Sequence, residues 1–201
     1  MEIYESIYKK HLVDKKIIGF GASSRIKMFT ETLPPDSNKT YVPTDMQSEM
    51  MLSDYDLRIL PKYVDLYVDT TDLFVELENG RRFLVKGLSH SAVKEKILYS
   101  LADKKLVLYD SKKITRTVAG LYIPVEIIKE SYYHVCDVIA RKYKLKQRIR
   151  LNGPNPYVNS MGHFVLMVEY SEKFIKECEK IVGVVEHGVF EIDENTILEG
   201  I

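Results

Sequence analysis

"KKIIGFGASSRIKMFTETL", residues 15–33, runs through Ile17, Ile18 and Phe20, then turns on Gly21, Ala22 and Ser23. From Arg25 to Leu33 it reads as a helix. An apolar strand that breaks on small residues and passes straight into a helix sets the pattern for what surrounds it. Residues 2–13 read as a short helix before it. After it come the strand "KTYVPT" (39–44) and helical "DMQSEMML". The strands "DLRIL" (56–60), "YVDLYVD" (63–69) and "KKLVLYD" (104–110) follow. Strands that alternate with helices predict a parallel α/β sheet.

The pattern changes at "LFVELENGRRFLV" (73–85), two β runs joined by Asn79-Gly80. Asn-Gly between alternating apolar residues is a strong hairpin signal. The next loop leads from Val85 through Lys86 and Gly87 into a helix from about Ser91. On that helix Val93, Ile97 and Leu101 form a stripe at four-residue spacing. Further on, "IPVEIIK" (123–129) is a strand and "SYYHVCDVIARKY" (131–143) a helix with Ser131 as N-cap. Tyr132 and Tyr133 on that helix read as apolar filler. "KQRIRLN" and "HFVLMVEY" (163–170) are strands around "GPNPYVNSMG". "SEKFIKECEKI" (171–181) is a helix and "GVVEHGVFEI" (183–192) a strand. Strand, helix, strand, strand, helix, strand is the ferredoxin-like order. The expected fold is α/β: a Rossmann-like, mostly parallel sheet domain at 1–123 plus 186–201, and a smaller ferredoxin-like α+β domain at 124–185, folding as a lid.

Composition narrows the function. The 201 residues, 45% hydrophobic, are enough to bury a sizeable core. The 29 basic and 29 acidic residues give zero formal net charge, which argues against nucleic acid as the main partner. Cys136 and Cys178 stand far apart and form no CxxC pair, so neither a disulfide framework nor a zinc site is expected. A reducing cytoplasm is the expected compartment. No stretch approaches the roughly 18 apolar residues of a membrane span, and the N-terminus lacks a signal-like apolar run. His11, His90, His134, His163 and His187 show no ligand spacing, so no metal and no cofactor is expected.

Residues 69–95 have the most to say about chemistry. Asp69 ends an apolar strand, where ligands of parallel sheets bind. Asp72 follows, Lys86 closes the hairpin and Glu95 opens the next helix. Helical side chains lean toward the N-terminus, which turns Glu95 back toward the Lys86 loop. Four such groups can converge on one pocket. Equally, Asp69 can be a cap, Asp72 a turn residue, and Lys86 with Glu95 a solvated pair. The spacing alone leaves both readings open.

The chain resembles the A-type ribose-5-phosphate isomerases. That family carries D-G-A-D-E after a strand, a K-G-G-G loop, and R-E-K nine residues beyond the lysine. Here "DTTD" (69–72), "KGLS" (86–89) and "KEK" (94–96) stand in that order, with nine residues from Lys86 to Glu95. "IIGFGAS" is similar to the family's first glycine loop, "VPTDMQSE" to V-x-T-S-x-Q-x-E, and "YDSKK" to A-D-x-S-K. "IPVEII" is similar to L-P-V-E-V, and "GVVEHGVF" to G-V-V-x-x-G-L-F. The resemblance implies an aldose–ketose isomerase acting through an enediolate on ribose 5-phosphate. By resemblance Glu95 is the base between C2 and C1, and Lys86 binds the substrate oxygens. Asp69 and Asp72 assist ring opening and bind hydroxyls. Gly21, Ser23, Ser24, Arg25, Gly87 and Lys112 are the expected substrate-binding positions. The chemistry agrees: proton abstraction beside a carbonyl needs a carboxylate within reach, and the enediolate needs a cation at its oxygen.

The chain also departs from the pattern. The first loop reads "GFGASSR", with Ala22 and Arg25 in place of two threonines; Arg25 is expected to bind phosphate in their stead. Leu73 replaces a glutamate, and "KGLSH" lacks two glycines. Asp45 stands where the family has serine. His90 is either a loop or helix-cap residue or a substrate contact. The alternatives to a ribose-5-phosphate isomerase are a non-catalytic sugar-phosphate-binding or regulatory paralogue, or an isomerase for another phosphosugar. The expected partners are a small-molecule phosphosugar and further copies of the chain, as a homodimer or homotetramer, with no nucleic acid and no membrane.

Overall fold

A computed structural model describes residues 2–34, 38–58, 61–88 and 92–201, which divide into two compact units. The first holds Met1–Thr71, Lys94–Lys113 and Ile192–Ile201. Its five strands are Ile17–Phe20, Thr40–Pro43, Val64–Thr70, Ala102–Tyr109 and Thr196–Gly200. All their pairings are parallel. Across the sheet they run, in chain order, second, first, third, fourth, fifth. That order reverses direction between the first and third strands. In open α/β sheets the crevice at such a switch point, beyond the carboxyl ends of the strands, is where ligands bind.

Alternation along the strands decides the packing of each face. Ile18, Phe20, Leu66, Val68, Leu106 and Leu108 form one core with Tyr4 and Ile7 of helix Glu2–His11 and Ile26 and Phe29 of helix Ser24–Thr30. On the opposite face Gly19 leaves room for Tyr67: a Cβ there would lie 3.1 Å from the tyrosine ring and 3.5 Å from Leu98. Leu98 belongs to helix Ala92–Leu101, whose buried side differs from the expected stripe. Ala92, Glu95, Leu98 and Tyr99 are buried, while Ile97 is 52% exposed. Four-residue counting of aliphatic residues missed this face because it contains an alanine and a carboxylate. "DLRIL" gives only a single bridge, Leu57 to Tyr41, and residues 59–60 lie outside those described.

The second unit comprises Asp72–Val93 and Ile114–Glu191. It is wider than the 124–185 division read from the sequence. Val75, Phe83 and Val85 of the hairpin share one core with Ile123, Val125, Leu166, Phe174 and Val189. One sheet runs Val184–His187, Tyr122–Ile127, Phe164–Glu169, Gln147–Ile149, all antiparallel, and matches the ferredoxin-like expectation. The other sets Val189–Glu191, Arg82–Val85, Leu73–Glu76 and Ile114–Thr115 side by side. The run "GVVEHGVFEI" is therefore two strands in two sheets, divided at Gly188. A Cβ on Gly188 would lie 2.1 Å from the Lys86 carbonyl oxygen and 2.4 Å from Pro124.

Local turn chemistry holds in detail. Gly80 takes φ +81°, its N–H donates to the Leu77 carbonyl, and Leu77 N–H donates to that of Arg81. This is a turn with a left-handed glycine at its bulge position, rather than a two-residue loop. Ser171 caps helix Glu172–Glu177 by accepting the Phe174 N–H. Ser131 stands at the expected N-cap position of helix Tyr132–Val138 but makes no side-chain capping bond: its hydroxyl donates to the carbonyls of Ile128 (2.6 Å) and Gly183 (3.2 Å). Tyr133 is 84% exposed and fills no core.

Candidate active site

In the parallel unit, Gly21 directly follows the first strand, and its N–H donates to the Val68 carbonyl (2.9 Å). A Cβ on Gly21 would lie 2.0 Å from the carboxyl group of Asp69. Only glycine lets that carboxylate lie against the neighbouring backbone. Asp69 is 2% exposed. Its Oδ1 accepts the Thr70 N–H (2.7 Å), and its Oδ2 accepts the hydroxyl of Tyr67 (2.5 Å). Burial pushes the Tyr67 phenol well above its ordinary pKa. The charges of Asp69, Glu95 and Asp45 push it further. Glu95, itself 5% exposed, is thus within electrostatic reach of the same phenol.

The loop after Gly21 becomes a helix because Ser23 caps it. Ser23 is extended (φ −158°), and its Oγ accepts the Ile26 N–H (3.1 Å). The Thr70 hydroxyl also donates to that Oγ (3.1 Å), tying the loop to the end of the Asp69 strand. Ser24 is exposed. Arg25 donates to the Asp110 carboxylate (2.7 Å), which also accepts the backbone N–H of Lys112 (2.9 Å). The Lys112 N–H, then Arg25, holds the Asp110 carboxyl below the usual carboxylate range. The Lys112 side chain is exposed. Asp45 turns its carboxylate onto its own helix, Met46–Met51, accepting the Ser48 N–H (2.9 Å) in a capping box.

The second unit carries Asp72, Lys86 and Gly87 together. Asp72 N–H donates to the Val85 carbonyl (3.0 Å), and Asp72 Oδ2 accepts the Leu88 N–H (3.1 Å). Lys86 is 3% exposed; its N–H donates to Gly188 and its ammonium lies 5.6 Å from the centre of the Phe190 ring. Gly87 has φ +89°, and a Cβ there would lie 2.8 Å from that of Ala92. Ser89, His90 and Ser91, including the possible contact at His90, lie outside the described residues. In the same unit Glu126 is 1% exposed. It accepts the Val93 N–H (3.1 Å) on one oxygen and, on the other, the Asn159 amide (2.7 Å), with His163 Nδ1 at 3.1 Å.

Among the described residues one group, Glu179, Glu186 and His187, brings metal-type ligand atoms together. Its chemistry does not suit a cation. His187 Nδ1 accepts the Val189 N–H (3.2 Å), which leaves the ring proton on Nε2, the nitrogen facing Glu179.

A family model described as ribose 5-phosphate isomerase A (phosphoriboisomerase A) matches residues 40–200. The chain belongs to that family. A ribose-5-phosphate isomerase A of Prochlorococcus marinus is 26% identical over 195 residues, covering 88% of this chain and 83% of the relative. Ribose-5-phosphate isomerase A 1 of Oceanobacillus iheyensis is 26% identical over 144 residues, 69% of this chain, and the match spans only 62% of that relative's length. The structure of ribose 5-phosphate isomerase A from Methanocaldococcus jannaschii is 26% identical, with a TM-score of 0.81 over 97% of this chain and 91% of that one. A D-ribose-5-phosphate isomerase solved with phospho-erythronic acid shares the fold at a TM-score of 0.82 and 22% identity, covering 99% and 93% of the two chains.

Within this family fold, sequence reasoning passed over Tyr67 and Glu126. Tyr67 carried a usable signal, since residues i and i+2 of a strand share a face and Asp69 was already singled out. Glu126 is the glutamate of the "IPVEII" match, but its partners, 33 and 37 residues away in sequence, gave no local hint of its bonds.

Proposed function

We propose that this protein interconverts ribose 5-phosphate and ribulose 5-phosphate through an enediolate, with Glu95 as the base that carries the proton between C2 and C1. The observation behind this reading is a buried Glu95 in electrostatic reach of Tyr67, the phenol that donates to Asp69, in a unit whose strand order puts Asp69 at the switch point. Lys86 supplies the cation for the developing oxyanion, and Asp69 and Asp72 serve ring opening and hydroxyl binding. The backbone of Gly21 and Gly87 admits the substrate, while Ser23, Ser24, Arg25 and Lys112 receive its phosphate. Asp110 keeps the Arg25 guanidinium in place and offsets part of its charge.

The reaction needs neither metal nor cofactor in this scheme. The protein works in the cytoplasm, a reading supported by its two widely spaced cysteines. It assembles as a homodimer or homotetramer, a reading supported by exposed Leu151, Val158 and Met161. Conversion of ribose 5-phosphate, followed with a chelator present, tests the assignment. Turnover that persists supports it. A parent protein that binds the phosphosugar without converting it would make this a binding paralogue.

A further inference from the structure

Tyr67 is fully buried, and nothing in the reaction scheme above employs it. Its ring is held on several sides: Gly19 leaves space for it, and Tyr99 meets it edge-on, with centroids 6.4 Å apart and planes at 81°. Its hydroxyl ends 2.5 Å from Asp69 Oδ2, the short range of an O–H donor on a charged acceptor. Burial, and then three neighbouring carboxylates, raise the phenol's pKa and so favour its protonated, donor form. The second Asp69 oxygen takes the Thr70 N–H, and Gly21 closes off the space beside the carboxyl group. Two donors from different sides fix both the position and the plane of that carboxylate.

We propose that Tyr67 is a positioning residue for the ring-opening step, holding the Asp69 carboxylate, as an acceptor, against the sugar's anomeric hydroxyl. The inference rests on the isomerase reading above. In the step, the C1 hydroxyl gives its proton to Asp69, its electron pair forms the C1 carbonyl, and the C1–O4 bond breaks. The ring oxygen takes up a proton from solvent, so the open aldehyde has the composition of the ring form. Proton transfer between C2 and C1 comes later, with Glu95 rather than this carboxylate as the base. Tyr67 therefore separates the two halves of the reaction.

Tyr67→Phe keeps the ring that Gly19 and Tyr99 surround and removes only the donor. Conversion of ribose 5-phosphate, which is mostly cyclic, should fall about tenfold or more, because a hydrogen bond to a charged group is lost. Deuterium uptake from D2O at C1 of ribulose 5-phosphate, which is acyclic, should stay within about twofold of the parent, because it bypasses ring opening. A parallel fall in both rates would reduce Tyr67 to a structural part, and parent values for both would remove its role altogether. A proton NMR measurement stands apart from turnover. The Tyr67 hydroxyl resonance, assigned by its loss in Tyr67→Phe, should move strongly in Asp69→Asn. If the parent neither converts nor exchanges its sugars, the isomerase reading fails, and that resonance alone decides whether Tyr67 holds Asp69. A resonance unmoved by Asp69→Asn would overturn the inference.

Discussion

The two units treat buried carboxylates in opposite ways. In the parallel unit Asp69 stands at the end of its strand, next to a glycine that makes room for it and a phenol that donates to it. In the antiparallel unit Glu126 stands inside strand Tyr122–Ile127, with donors on both oxygens from a helix start, an amide and an imidazole. Both acids are almost wholly removed from water. Burial alone therefore separates nothing; position in the sheet does. A parallel sheet leaves its strand ends open for chemistry, whereas a mid-strand acid surrounded by donors fastens pieces of chain together.

The contrast breaks most sharply at Glu95. Glu95→Gln keeps size and polarity but removes the base, so kcat should fall about 10²–10⁴-fold. Affinity for the phosphosugar and the melting temperature should barely change, because the loss belongs to the transition state. A variant that turns over at the parent rate would place Glu95 with the fastening acids.

Glu126→Ala should do the reverse. It leaves the Val93 N–H and the Asn159 amide short of an acceptor in a buried place. The expected cost is about 3 kcal/mol, read as a drop of about 6–12 °C in thermal unfolding. If stability holds while kcat collapses, the division of labour between the two acids is wrong.

Gly21→Ala sharpens the same point from the other side. The added methyl must displace the Asp69 carboxylate. Stability should fall by about 1–3 kcal/mol, and kcat by about tenfold to a hundredfold through misplacement alone. A soluble, fully active alanine variant would show that Asp69 has no fixed position to defend.

The smallest effect belongs to Arg25→Ala, which should raise KM about tenfold with kcat nearly intact. An unchanged KM would mean that the guanidinium serves Asp110 alone.

What the sequence revealed follows from range. Strand–helix alternation, the Asn79-Gly80 hairpin, the helix beginning at 171 and the ferredoxin-like order all rest on residues a few positions apart. They stand in the structure much as expected. The failures rest on distant partners or on burial of the wrong kind of residue. The Val93, Ile97 and Leu101 stripe lost to a face containing Glu95, since no periodicity rule buries a carboxylate. Ser131 was drawn away from capping by carbonyls, one of them Gly183 on a segment 52 residues further along. The hairpin joined the second unit because Val75, Phe83 and Val85 share a core with strands that come much later in the chain, Tyr122–Ile127 and Phe164–Glu169. Of the proposed site, the aspartates, Lys86 and Glu95 rest on resemblance. The Arg25–Asp110 pair and the Tyr67 donor depend on side chains meeting across strands.

The late strands carry a consequence for synthesis. Val189 pairs with Val85, His187 with Val125, and Thr196 with Lys105. On a ribosome, the antiparallel unit waits for residues 184–191 and the parallel sheet for residues 196–200 before either can close its hydrogen-bond ladder. Pairings across such spans form slowly, because loop closure precedes any gain in contacts. A nascent chain stalled before residue 184 should expose unfinished edges of both units and draw chaperones, whereas one with residues 196–200 emerged and paired should not.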